Sequence, residues 1–141
     1  MMQKRIKNIN KFIKNPIEYQ ANVINYLIKK GLKTKFGEEH YFNKITNYTS
    51  FKNQIPIRTY EEIEPYIEKT RKGEKDVLWP GKINWFAKSS GTTNSKSKFI
   101  PITKDSLYNC HFKAGKDMLS LYENNFPKIN IYNGKGLMLG G

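Results

Sequence analysis

Residues 88–101, KSSGTTNSKSKFIP, are the stretch of this sequence whose residue types and spacing are best suited to chemistry. The stretch holds four serines, two threonines, one glycine and three lysines, with almost no apolar side chain before Phe99. Glycine lets the backbone approach an anion closely, successive N–H groups and hydroxyls donate to its oxygens, and lysine neutralises its charge. The stretch can therefore form a phosphate-binding loop, but composition alone favours a solvated, lysine-rich linker, because such surface loops are common.

The elements around this loop are predicted to be strands. The runs INWFA, residues 83–87, and FIPI, residues 99–102, are rich in strand formers and lie on either side of the polar stretch. The loop differs from the Gly-x4-Gly-Lys-Ser/Thr pattern, because no helix follows it directly and its lysines are spaced differently. It also lacks the three spaced glycines of a dinucleotide fingerprint.

Three amphipathic helices are expected around this hairpin. The first follows Asn15 and Pro16, which suit the N-cap and the first helical position, and it ends near Gly31. Its apolar residues recur at helical spacing, so one face is expected to meet a core, and a membrane-surface helix is the alternative. These apolar residues are Ile17, Ala21, Ile24, Leu27, Ile28 and Leu32. Residues 1–14 are expected to form a further helical segment that docks or frays.

The second helix is expected after residues 33–54, which predict a loop with one short helix. Thr59 and Glu62 have the spacing of a capping box, and the helix is expected to end near Gly73. Its predicted buried face consists of Ile63, Tyr66 and Ile67. Pro65 lies within this pattern, so a kink or a restart is expected there.

The third helix is expected to begin after Thr103 as its N-cap and to stop before Pro127. Its predicted buried face consists of Leu107, Cys110, His111, Ala114, Met118 and Leu121. Beyond it, the dipeptide Asn133-Gly134 predicts a hairpin turn.

Several reactive or aromatic side chains are interpreted as structural. Cys110 and His111 lie on the predicted apolar face without a nucleophile or a ligand set beside them, so packing is favoured over catalysis. Trp79 and Trp85 are likewise interpreted as core residues. Four glutamates are interpreted as a solvated helix face, because they lack the converging geometry that paired acid–base carboxylates require. They are Glu61, Glu62, Glu64 and Glu68.

Composition limits the functions open to the chain. Its 141 residues, 38% of them hydrophobic, suffice for one domain with a core, despite a net charge of +13. The charge suggests an anionic partner, but only three of the 25 basic residues are arginine, the residue favoured for contacts with phosphate and guanine. A specialised nucleic-acid surface is therefore not expected.

Targeting and redox signals favour the cytoplasm. The N-terminus lacks the continuous apolar region of a secretory signal, and no segment approaches the roughly 20 apolar residues of a membrane span. The single cysteine, Cys110, cannot form an internal disulfide, and the two histidines have no metal-ligand spacing. We therefore expect a cytoplasmic protein with neither a protein-bound metal nor a membrane partner.

The pentapeptide SSGTT with a downstream lysine resembles the phosphate-binding motif of the adenylate-forming superfamily, which includes acyl-CoA synthetases and luciferases. The longer string VLWPGKINWFAKSSGTTNSKSKFIPIT is similar to the Gretchen Hagen family of acyl-acid amido synthetases, known from auxin-responsive plant enzymes and also from bacteria. Supporting segments are NPIEYQANVINYLIKKGLKTKFG, IPIRTYEEIEPYIEKTRKGE, CHFKAGKDMLSLYENN and GKGLMLGG. The resemblance thus extends from about Asn15 to Gly141.

The resemblance implies an α/β fold, namely the N-terminal part of an adenylate-forming enzyme with amphipathic helices packed on a partial sheet. It also implies an ATP-dependent ligase that activates a carboxylic acid as an acyl-adenylate and transfers the acyl group to an amino acid amine. Mg²⁺ would bridge phosphate oxygens, and residues 89–98 would form the phosphate-binding loop. By motif match, the phosphate contacts are Ser89, Ser90, Gly91, Thr92, Thr93 and Lys98.

The sequence departs from the plant pattern at Asn94 and Ser95, where a glycine usually stands, although asparagine tolerates positive φ. Family members are several-fold longer, so residues 1–141 are expected to be the N-terminal part of such an enzyme and inactive alone. An acyl-CoA synthetase of the same superfamily is the nearer alternative, because the two enzymes differ only in the acceptor of the acyl group, a thiol in one and an amine in the other. A non-catalytic basic domain that binds nucleic acid or a membrane surface is the alternative from another class.

Overall fold

The computed structural model describes residues 2–89, 97–129 and 135, so the turn predicted at Asn133-Gly134 lies outside the described residues. The elements in this part of the chain are α1 (Met2–Lys14), α2 (Pro16–Gly31), α3 (Lys35–Glu39), α4 (Tyr48–Gln54), α5 (Tyr60–Arg71), β1 (Trp85–Lys88), β2 (Phe99–Ile102), α6 (Lys104–Ser106) and α7 (Phe112–Asn125). A 3₁₀ turn covers Phe42–Lys44, and a π-helical turn covers Leu107–His111. The described fold is therefore mostly helical with one small sheet, a mixed α/β arrangement as expected.

Helix α2 has the bounds that the sequence predicts, but its apolar face is less buried than expected. Asn15 is the N-cap without a side-chain hydrogen bond. Its N–H donates to the carbonyl of Lys11 at 3.0 Å, so α1 runs almost directly into α2. Ile28 and Gly31 are buried near the end of the helix, whereas Ile17 is 76% exposed. The apolar face thus meets the core only in its last turns.

Helix α1 lies against α7. The Nη2 of Arg5 donates to the carbonyl of Lys113 at 2.9 Å, and the same nitrogen lies 2.5 Å from Oδ1 of Asp117. The rings of Phe12 and Tyr19 meet edge to face across the junction with α2. One arginine and one aromatic pair therefore attach α1 to its neighbours.

The segment before α5 contains more helix than the predicted loop with one short helix. Thr34 starts α3, because its Oγ1 accepts from the N–H of Gly37 at 3.0 Å and donates to the carbonyl of Gly31 at 2.7 Å. Asn47 and Ser50 form a capping box that starts α4. Neither helix start carries the Glu or Gln at the third helical position that marks a capping box in sequence.

The segment that leads to β1 crosses the start of α3. The N–H groups of Lys35 and Phe36 donate to the carbonyls of Asp76 and Val77 at 2.7 and 3.0 Å. These bonds satisfy helix N-terminal donors that have no partner within α3. The buried apolar core of the described residues consists of Ile28, Ile67, Val77 and Ile83.

Helix α5 confirms the predicted capping box. Thr59 accepts from the N–H of Glu62, and the Glu62 carboxylate accepts from the N–H of Thr59 at 2.6 Å. The helix ends at Arg71, near the predicted position. Of the kink or restart expected at Pro65, the restart does not occur, since one helix runs through this residue. Pro65 is exposed, so water can hydrate the carbonyl that loses its helical partner there.

Strands β1 and β2 confirm the two predicted strands and pair antiparallel, with Trp85 opposite Ile102. Trp85 is 54% exposed, so its interpretation as a core residue is wrong. The described sheet has two strands, and α5 contacts β2, which leaves part of the sheet in solvent. Trp79 is half-buried, and its Nε1–H donates to Oδ2 of Asp105 at 3.1 Å.

The last helical segment starts at Thr103, as predicted. Thr103 and Ser106 form a capping box, and α7 ends at Asn125, before Pro127. Between them, the π-helical turn at Leu107–His111 inserts one residue into the helix. Because one helical residue corresponds to about 100°, the side chains that follow are rotated by about that angle.

The predicted buried face of this segment is wrong for most of its members. The exposed ones are Cys110, His111, Ala114, Met118 and Leu121. Ser120 is buried instead, and its hydroxyl donates to the carbonyl of Lys116 at 2.8 Å. Helix α7 is instead covered by α1 on the side that carries Asp117 and Ser120, which lie about one turn apart, and Asp117 pairs with Arg5 there.

Many large apolar side chains of the described residues are exposed. Examples are Ile17, Val23, Ile57, Trp85, Tyr108 and Met118. The apolar core is therefore small for a chain of this length. Across the described ranges, the helices are each too short or too polar to cross a membrane.

Gly37 and Gly115 provide a matched test of the fold. A Cβ at Gly37 would lie 2.0 Å from the backbone oxygen of Gly31, whereas one at Gly115 in α7 would meet nothing within 4 Å. Gly37→Ala should lower the free energy of unfolding by about 1–3 kcal/mol, because backbone atoms must move apart. Gly115→Ala should raise it by about 0.5–1 kcal/mol through helix propensity. Urea unfolding measures both, and a Gly37→Ala variant as stable as the parent would contradict the close approach.

Candidate functional site

The base of the hairpin between β1 and β2 is closed by two hydrogen bonds. The N–H of Ser89 donates to the carbonyl of Lys98 at 2.9 Å, and the N–H of Lys98 donates to Oγ of Ser89 at 3.0 Å. Lys88 and Phe99 lie opposite each other where the strands end. The structure thus brings together Ser89 and Lys98, the first and last of the predicted phosphate contacts.

The other predicted contacts lie outside the described residues. They are Ser90, Gly91, Thr92 and Thr93, and the departures from the family pattern at Asn94 and Ser95 lie there too. Their assignment to phosphate stays a prediction.

Ser89 has a structural role at this site that the sequence does not show. Its Oγ accepts from the N–H of Lys98, which fixes the two ends of the loop side by side. Accepting this bond leaves the hydroxyl hydrogen available to another acceptor. The side chain can therefore close the loop and still donate to an anion.

The side chain of Lys98 lies against the first turn of α5. Its Nζ is 3.5 Å from Oε1 of Glu61 and 5.0 Å from the centre of the Tyr60 ring. The side chains of Lys98 and Glu61 are 42% and 63% exposed, so water screens the pair and the contact is weak. The ammonium can therefore exchange this carboxylate for an anion of higher charge.

Tyr60 joins α5 to β2. Its hydroxyl accepts from the N–H of Phe99 at 2.8 Å and donates to the carbonyl of the same residue at 3.2 Å. From the other end of α5, the Arg71 guanidinium lies 3.8 Å from the centre of the Phe99 ring, within cation–π range. Helix α5 therefore holds the start of β2 at two points.

Sequence reasoning misses Tyr60 and Arg71 as residues of the site. Tyr60 and Phe99 are 39 positions apart, so no local spacing links them. The one available signal is the capping box beside Tyr60, which predicts where α5 begins but not what its first turn contacts.

A polar cluster joins α3 to the start of α5. The Nδ1–H of His40 donates to the carbonyl of Phe36 at 2.8 Å, and Arg58 donates to Nε2 of His40 at 2.6 Å. The hydroxyl of Tyr66 donates to the Glu39 carboxylate. This hydrogen bond, followed by burial and the charge of Glu39, raises the pKa of Tyr66. His40 thus has both ring nitrogens engaged in fixing the fold.

The surroundings of Glu61 favour its charged form. A hydrogen bond from its own backbone N–H lowers the pKa of the carboxyl below its ordinary value of 4.5, and the positive charge of Lys98 lowers it further. A lowered pKa means that the contact with Lys98 is complete above the ordinary carboxyl pKa and is lost as the pH falls through the lowered value. At neutral pH the two side chains are therefore oppositely charged partners.

The groups at the base of the hairpin are suited to holding an anion. One ammonium and one hydroxyl hydrogen, those of Lys98 and Ser89, come from residues paired across the hairpin, and both are donor types that hold phosphate oxygens. Among the described residues, no group of three or more His, Cys, Asp or Glu side chains could hold a metal ion. The hairpin thus consists of two strands and a connecting loop, with a serine hydroxyl where the loop begins and a lysine ammonium where it ends.

Comparison with models of protein families matches residues 5–140 to the GH3 family N-terminal domain. The chain therefore belongs to the GH3 family, which confirms the resemblance to the Gretchen Hagen enzymes.

Several curated relatives of the chain are plant synthetases. A jasmonoyl–L-amino acid synthetase of Nicotiana attenuata is 29% identical over 133 residues, which is 94% of this chain and 22% of the relative. An indole-3-acetic acid-amido synthetase of Arabidopsis thaliana is 28% identical over 106 residues, 74% of this chain and 17% of the relative. A 4-substituted benzoates–glutamate ligase of the same plant is 29% identical over 111 residues, 78% and 19% of the two chains. The chain thus spans about a fifth of the length of these relatives.

The contact between Lys98 and Glu61 can be tested by titration. Lys98→Met should raise the ionisation midpoint of Glu61, measured from its carboxyl carbon by NMR, because the positive charge beside it is removed. The midpoint should move only part of the way to 4.5, since the backbone hydrogen bond of Glu61 remains. Lys69→Met, on the same helix, is the control and should leave the midpoint unchanged. An unchanged midpoint in Lys98→Met would show that the two side chains do not meet.

Proposed function

We propose that this chain forms the N-terminal part of an ATP-dependent acyl-acid amido synthetase with an adenylate-forming fold. The observation that carries the proposal is the family match over residues 5–140. It is supported by relatives whose names pair a carboxylic acid with an amino acid, such as jasmonoyl with an L-amino acid and benzoates with glutamate. Because the chain spans about a fifth of those relatives, the activity is proposed for a protein of their length.

The proposed reaction has two steps. A carboxylate oxygen of the acid attacks the α-phosphorus of ATP, forms a P–O bond and expels pyrophosphate, which leaves an acyl-adenylate. The amine of an amino acid then attacks the acyl carbon, forms the amide, loses a proton and expels AMP. Both steps require the phosphates to be held with their charge neutralised and in line with the attacking group, so positioning and electrostatics supply the catalysis.

In this proposal the loop 89–98 holds the β- and γ-phosphates. The hydroxyl donors are Ser89, Ser90, Thr92 and Thr93. Gly91 permits a close backbone approach, and Lys98 neutralises charge. Mg²⁺ bound with ATP would help to neutralise the charge of the phosphates, and no residue of this chain is assigned to it.

The resting position of Lys98 supports this role. Its ammonium is partly exposed and has one screened carboxylate, that of Glu61, at 3.5 Å. A polyphosphate carries several negative charges and attracts an ammonium more strongly than one carboxylate does. Binding of ATP can therefore draw the lysine away from Glu61.

The proposed partners are small molecules, a carboxylic acid and an amino acid. We also propose a cytoplasmic protein that binds neither nucleic acid nor membrane. The low arginine content, three of 25 basic residues, and the single cysteine support these assignments. Residues 1–141 alone are proposed to be inactive, because the described residues form only a two-stranded sheet with a small core.

The phosphate assignment is tested by Thr92→Ala combined with Lys98→Ala in a full-length protein that carries this N-terminus. Exchange of pyrophosphate into ATP, driven by the carboxylic acid, should fall by about 30- to 900-fold. The double variant loses one charged and one neutral hydrogen bond to phosphate, worth about 2–4 kcal/mol together.

The matched control is Thr49→Ala combined with Lys52→Ala, which removes the same residue types from the exposed surface of α4. This control should retain wild-type exchange. Wild-type exchange in the Thr92 and Lys98 double variant would refute the phosphate assignment. Supplying an amino acid or coenzyme A to the adenylate then identifies the acceptor, and a thioester in place of an amide would overturn the amido synthetase assignment.

A further inference from the structure

The first turn of α5 holds the backbone immediately after Lys98. Ser89 and Lys98 form a hydrogen-bonded pair across the strands. In an antiparallel ladder the next residue, Phe99, therefore turns its N–H and C=O away from β1. The hydroxyl of Tyr60 meets both groups, at 2.8 and 3.2 Å. In the described sheet, one side chain thus takes the place of a strand partner at the outer edge of β2.

The same tyrosine also lies against the charged end of Lys98. The ammonium is 5.0 Å from the centre of the Tyr60 ring, within the roughly 6 Å range of a cation–π contact. The next residue, Glu61, places its carboxylate oxygen 3.5 Å from the same nitrogen. Two adjacent residues of α5 therefore contact the charge of this lysine and the backbone of the residue that follows it.

Tyr60 can act in this way because its own position is fixed by the helix. It is the first residue of α5 and directly follows the N-cap Thr59, whose capping box with Glu62 orders the first turn. Further along the same helix, Ile67 is buried in the apolar core. The position of the Tyr60 hydroxyl is thus set by helix packing, independently of the residues within the loop.

We propose that Tyr60 is a positioning residue that holds Lys98 and the β2 end of the loop in the geometry that binds the phosphates of ATP. The proposal rests on the proposed function, since it assigns a purpose to the geometry of the phosphate-binding lysine. Tyr60 acts on ATP through Lys98 and Phe99 and does not itself contact the nucleotide.

The test compares Tyr60→Phe with Tyr66→Phe in the full-length protein. Both variants remove one hydroxyl from α5 and keep the aromatic ring, but only the first loses contact with β2. Tyr60→Phe should raise KM for ATP in pyrophosphate exchange by about three- to tenfold, because one well-placed hydroxyl is lost. Its kcat and its KM for the carboxylic acid should stay within about twofold of wild type. Tyr66→Phe should leave KM for ATP within about twofold.

Hydrogen–deuterium exchange adds a readout that does not depend on activity. Amides in the peptide that covers residues 97–102 should exchange faster in Tyr60→Phe, since the N–H of Phe99 loses its acceptor. The same peptide should exchange as in wild type in Tyr66→Phe. Unchanged exchange in Tyr60→Phe would overturn the role of Tyr60 as an anchor of β2.

The kinetic outcomes separate this inference from the proposed function. Absence of pyrophosphate exchange in the wild-type protein would refute the proposed function, and deuterium uptake would still decide whether Tyr60 anchors the strand. An active wild type with an unchanged KM for ATP in Tyr60→Phe would overturn the positioning role alone. An equal rise in KM for both tyrosine variants would also overturn it, because the effect would then come from general loosening of α5.

Discussion

The hydroxyl of Tyr60, bound to both polar groups of the Phe99 backbone, is the interaction on which the arrangement of the hairpin depends. A two-stranded sheet is marginal by itself and needs a helix packed against it. Helix α5 provides this support at one end through Tyr60 and at the other through Arg71 above the Phe99 ring. The helix is itself packed into the core through Ile67, so the placement of Lys98 depends on contacts made far away in the chain.

Local signals account for the parts of the fold that sequence predicts well. The Thr59 and Thr103 caps, the start of α2 and both strands depend on residues within a few positions of one another, so their patterns are visible in the sequence. Within the candidate site, Ser89 and Lys98 are predictable from residue type and family resemblance. The second role of Ser89 and the presence of Tyr60 are not, because each depends on the pairing of distant segments.

The failed prediction for the face of α7 has a physical cause, which is that an apolar period does not report which side of a helix its neighbours cover. Helix α1 covers the side of α7 that carries Asp117 and Ser120, whereas Cys110 is exposed on the π-helical turn. Pro65 shows a second effect of the surroundings, because the helix continues through it at an exposed position where water can replace the lost bond. In both cases the deciding factor is the surroundings of the backbone, which periodicity does not report.

Pro101 limits the edge at which the small sheet can pair with a further strand. It lies two residues beyond Phe99 on β2 and therefore turns its ring nitrogen, which has no hydrogen, toward the same outer edge. The polar groups of Phe99 are already bound to Tyr60, so the outer edge of β2 has few unpaired N–H and C=O groups with which a further strand could pair. The outer edge of β1 has no such block in the described sheet, so a strand that enlarges this sheet would find its hydrogen-bonding partners there.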